Sequence, residues 1–158
     1  MNNLDRAIGL TETIRDALTA EIAIARQERV LIRAMDADAL TARAQKRGEF
    51  NDTTAGLMAE LGVALGAARQ DLGLTDVTLD ALQSHAPSEG RRMSALLAEV
   101  RALAASLAEL DALNRLLGQR ALSYVRAHLA VLSPKPAAYD RRGGGTAVSR
   151  TSTFVRVA

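Results

Sequence analysis

Acid–base chemistry in this 158-residue chain has few candidates, because it contains two histidines and no cysteine. His85 stands immediately before Ala86-Pro87, where a helix must end. His128 has no carboxylate three or four residues away, so no acid on its own helix face can orient the imidazole as a base. Glu109 and Asp111 are two residues apart, and on a helix that spacing sends their side chains in different directions. HExxH, GxSxG and phosphate-loop patterns do not occur. Without cysteine there is neither a disulfide nor a thiolate metal site. No catalytic residue, cofactor or metal is expected. Arg141-Arg142 ahead of Gly143-Gly144-Gly145 has the look of an arginine–glycine nucleic-acid segment, but a single copy reads better as a basic stretch without a dedicated ligand. What remains for this chain is the chemistry of surfaces.

The elements that form those surfaces are helices. Ala and Leu supply 54 residues and aromatic residues only four, so the core must be thin and aliphatic, as in an elongated bundle. The net charge of +2 conceals a split. Residues 1–132 carry 15 basic and 17 acidic groups, whereas residues 133–158 set Lys135, Arg141, Arg142, Arg150 and Arg156 against Asp140 alone. In the body the charges alternate in sign as on solvated helix faces, and no nucleic-acid partner is expected there. No stretch reaches 18 apolar residues, so no membrane insertion is expected. The opening MNNLDRAIGLTETIRD has acids where a secretion signal needs a basic and then an apolar run, and a cytoplasmic location is expected.

A first helix is predicted over about 3–34, with Leu4, Ile8, Thr11, Leu18, Ile22, Ala25 and Ile32 on one stripe and Ile14, Leu31 and Met35 beside it. Asp36 and Asp38 offer short acceptors that cap a second helix, over about 37–69. A break at Gly48 to Asp52 is the alternative; the earlier break is preferred. Gly62 and Gly66 would let another helix come close, or are simply tolerated. After a connector, a short helix over about 78–84 is ended by Pro87, and Ser88 is the expected cap of the last helix, 88–132. Residues 134–158, opened by Pro134 and Pro136, read as a flexible basic tail, with residues 153–157 as an optional edge strand. The domain reading is a helical bundle over 1–133 followed by that tail.

The last helix is the informative one. Met93, Leu96, Val100, Leu103, Leu107, Leu110, Asn114, Leu117, Ala121, Tyr124, His128 and Val131 recur at steps of three and four, which only a helix presents on one stripe. Such a helix is roughly 65 Å long against roughly 48 Å for each of the first two. In an antiparallel three-helix bundle the excess, Ala121 to Leu132, is expected to pass the turn between the first two helices. There a second stripe, Leu122, Val125, Leu129 and Leu132, widens the apolar arc. An arc of this kind calls for a partner chain, a second copy, or cover from elsewhere in the chain. Asn114 in the stripe needs hydrogen-bond partners if buried, or else marks the exit from the core.

The segment Leu110-Asp111-Ala112-Leu113-Asn114-Arg115-Leu116-Leu117, then Leu122-Ser123-Tyr124-Val125, Leu129 and Leu132, and Tyr139 ahead of Gly143, resembles the FlgN family of flagellar export chaperones. Asp38-Ala39-Leu40 with Lys46 is similar to the opening of that family's second helix, whereas Tyr139 departs from the pattern in being followed by Asp-Arg-Arg. The resemblance implies a cytoplasmic chaperone without ATP hydrolysis. Its partners would be the C-terminal segments of hook–filament junction proteins of the FlgK and FlgL kind, and the flagellar type III export apparatus. It would bind its client through Leu113, Asn114, Leu117, Ala121, Leu122, Val125, Leu129 and Leu132, as a monomer or weak homodimer. A homo-oligomeric coiled coil is the competing reading.

Overall fold

The computed structural model describes residues 2–132, and all of the regular structure in them is α-helix: α1 (Asn3–Ala34), α2 (Ala37–Asp71), α3 (Leu79–His85) and α4 (Pro87–Leu132). The expectations for residues 134–158, including Tyr139 and the strand at 153–157, lie outside the described residues.

Each helix boundary has a local cause. Asn2 and Asp5 form a reciprocal capping box at the start of α1, the Asn2 side chain accepting from the Leu4 amide at 2.7 Å. α1 stops where Met35 enters the left-handed region at φ 53°, and Asp36 at once caps α2 by accepting from the Ala39 amide at 3.0 Å. α2 then runs unbroken through Gly48 and Asn51, so the earlier of the two candidate breaks is the real one. Thr78 caps α3 through the Ala81 amide at 3.1 Å. Ser88 does not cap α4. The helix begins one residue earlier, with Pro87 in the first position, where its missing N–H costs nothing. The Ser88 hydroxyl instead donates to the Glu89 carboxylate at 2.6 Å, holding that carboxyl below its ordinary value.

Cross-links between helices give their directions. Asn3 donates to Asp71 and Arg6 pairs with Glu60, while farther along α1 Glu21 pairs with Arg43, so α1 and α2 are antiparallel. Glu12 pairs with Arg92 and Ala25 bonds to Asn114, so α4 runs parallel to α1. Between them lies an aliphatic core of Leu4, Ala7, Ile8, Ile14, Leu18, Ile22 and Ala25 from α1, Leu61, Ala64 and Ala68 from α2, Leu82 from α3, and Met93, Leu96 and Leu107 from α4. Ile14 belongs to this core rather than to its margin, and Met35 is exposed. α3 seats Leu82 against the core only because Gly90 is glycine: a Cβ there would lie 2.6 Å from the Gln83 backbone nitrogen. Gly62 and Gly66 have open space around them and mark no close helix approach.

The core is not uniform along the bundle. From Ala37 to Glu60, α2 buries a single residue fully, and it is Arg43. The bundle unit extends to Ser123, and Tyr124 begins a second unit within α4.

Candidate partner-binding surface and its polar neighbour

Among the described residues the polar side chains with chemical potential are engaged structurally. His85 and His128 each place Nδ1 against the carbonyl four residues earlier, Ala81 at 3.0 Å and Tyr124 at 3.1 Å, so that nitrogen donates within its own helix. Asp111 binds Arg47 at 2.6 Å and Glu109 is exposed, so the two acids share no site. No group of three or more metal-ligating side chains occurs among the described residues.

Sequence pattern missed the most organised polar feature. Glu21, on the buried face of α1, accepts from Arg43 and, at 2.7 Å, from Arg47. Arg47 reaches on to Asp111, and Arg43 Nε lies 3.4 Å from Glu28. A buried charge survives only with such partners. Periodicity analysis does not find Glu21 because it scores polar residues as solvent-facing; the available signal was an acid inside an otherwise apolar stripe, between Leu18 and Ile22. Beside this network Asn114 is buried, donating to the Ala25 carbonyl at 2.8 Å and accepting from Arg29 at 3.3 Å. It therefore fastens α4 to α1.

In the bundle unit, α4 exposes Leu113, Leu116 and Leu122, while Leu117 and Ala121 are half-buried. Leu116 was not among the residues expected at the surface patch. In the second unit every described residue is exposed: Val125 at 37%, Leu129 at 57%, Leu132 at 76%, with Tyr124 and Val131 also open. Contiguous aliphatic exposure of this kind is unusual for a face meant for water. It can gain apolar contact from another polypeptide.

An all-helical bundle with a long final helix bearing bare aliphatic residues defines a helical binding protein. No match is found among curated proteins or among solved structures. The family model for FlgN protein matches residues 1–146, and the chain belongs to the FlgN family of flagellar export chaperones, a non-enzymatic family that serves hook-associated proteins. Membership implies binding to hook-associated proteins of the FlgK and FlgL kind. No described helix is long and apolar enough to cross a membrane.

Proposed function

We propose that this protein acts in the cytoplasm as an export chaperone, binding the disordered C-terminal segments of hook–filament junction proteins on α4. The contact residues are Leu113, Leu117, Ala121, Leu122, Val125, Leu129 and Leu132, with Asn114 holding the helix in place. The observation that carries the reading is the bare aliphatic run at the end of α4, with Leu129 and Leu132 more than half exposed. An amphipathic client segment laid along these residues buries its own apolar face together with theirs, a helix-in-groove mode. Each aliphatic side chain covered contributes about 1.5–3 kcal/mol before ordering costs. Masking the client segment prevents its premature assembly and keeps it extended enough for delivery to the type III export apparatus.

The test is Leu129→Asp, with Val125→Asp as its companion. Both positions are exposed, so circular dichroism should stay helical while calorimetric binding of the client segment is lost. Normal binding by both variants would remove α4 as the site. The same residues would serve a coiled coil of two copies. Light scattering separates the readings, since a chaperone of this kind stays monomeric or weakly dimeric and a structural coiled coil shows a stable dimer.

A further inference from the structure

Within the bundle unit lies a cleft of about 570 Å³ walled by α1, α2 and α4. Arg43 and Arg47 of α2 line it, with Glu28 of α1 and Asp111, Asn114 and Arg115 of α4. Its cations are not all accounted for. The Arg43 side chain is 7% exposed; Nη2 binds Glu21, Nε has Glu28 at 3.4 Å but no hydrogen bond, and Nη1 has no hydrogen bond at all. Arg115 is exposed and makes no ion pair among the described residues. Counting Arg29, held on Asn114, and Glu21, bound to Arg43, the cleft and the network behind it hold four guanidinium groups against three carboxylates, those of Glu21, Glu28 and Asp111. Buried donors without acceptors are costly, and a guanidinium's planar fork matches a carboxylate, the anion that polypeptide side chains carry.

We infer that this cleft receives an acidic side chain, Asp or Glu, from the polypeptide segment that binds α4. The inference rests on the chaperone reading above and adds a polar selection rule to it. Arg115 stands seven residues before the exposed Leu122, two turns away on the same face of α4, so a segment resting on Leu122 and running back along that face brings a side chain to the cleft mouth. Arg115 and Arg43 both line the cleft, the first exposed and the second 7% exposed, so an entering carboxylate meets the open guanidinium before the buried one. Apolar contact with α4 alone accepts any greasy helix. A required carboxylate restricts the client to a segment with an acid beside its apolar stripe.

The experiment uses the full chain and the C-terminal segment of a hook-associated protein from the same organism. The segment is prepared unaltered and with each acid in turn changed to its amide. Arg115→Glu should weaken binding of the unaltered segment about tenfold or more, as loss of a charge-assisted hydrogen bond does. One amide substitution should weaken it comparably and make Arg115→Glu no longer additive. Arg43 is buried and its replacement endangers folding, so its Nε–H resonance is followed in the unaltered chain. It should shift with the unaltered segment and stay in place with the deficient one. Binding that Leu129→Asp abolishes but that neither Arg115→Glu nor any amide substitution affects overturns the inference and leaves the chaperone reading standing. No binding by the unaltered chain overturns that reading and this inference together.

Discussion

Two stretches of α4 carry the same spacing and meet opposite fates. Between Met93 and Leu107 the three-and-four repeat is buried or half-buried, and Met93, Leu96 and Leu107 enter the core. Between Leu122 and Leu132 the repeat continues with residues just as apolar, and all of them are exposed. The difference does not lie in side-chain chemistry. It lies in packing: Met93, Leu96 and Leu107 share a core with Ile8, Leu61 and Leu82, whereas the residues of the second stretch are exposed. Spacing determines which side chains share a face, and only packing determines whether that face is covered.

Truncating the same residue type in each stretch is the strongest way to break this comparison. Leu107→Ala should cost about 2–5 kcal/mol in denaturant unfolding, because it removes buried methyl groups and leaves a cavity. Leu129→Ala should change stability by no more than about 0.5 kcal/mol. Equal costs would mean that the second stretch is packed in solution. Asn114 sharpens the boundary between them. Asn114→Ala should cost about 1 kcal/mol, since the Ala25 carbonyl keeps its helical amide while the Arg29 bond is also lost. The smallest effect belongs to the start of α4. The Ser88 hydroxyl, followed by a backbone hydrogen bond, holds the Glu89 carboxyl below its ordinary 4.5. Because the folded-state value is depressed, this contribution is present above 4.5 and lost as pH falls through the lowered value. Ser88→Ala should move the Glu89 carboxylate titration, followed by NMR, up toward 4.5, and an unchanged titration would assign the shift to the backbone alone.

Much of the architecture was readable because helices leave local marks. Asp36 is legible as a cap, its side chain competing for free amides where the second helix begins, while Asn2 and Thr78 emerge as caps only in the structure. Ser88 misled for a related reason. It is a good capping residue, but the helix already begins at Pro87, which puts Ser88 inside the first turn, where its hydroxyl turned to Glu89. The apolar members of the candidate surface were equally legible, since their spacing and type are local properties. Glu21 and Arg43 were not. Their burial depends on α1 and α2 aligning so that opposite charges 22 residues apart meet, and composition carries no information about that meeting.

By itself the chain's order of residues determined four helices, the turn at Met35 and Asp36 with its cap, and the stripe that runs along α4, because each arises from interactions within about one helical turn. Tertiary structure alone decided that α3 lies against Gly90, that an ion network replaces aliphatic packing beside Asn114, and that the repeat is covered at Leu107 and bare at Leu129. Those outcomes depend on which groups from distant parts of the chain come within a few ångströms of one another. No repeat along a single helix encodes that.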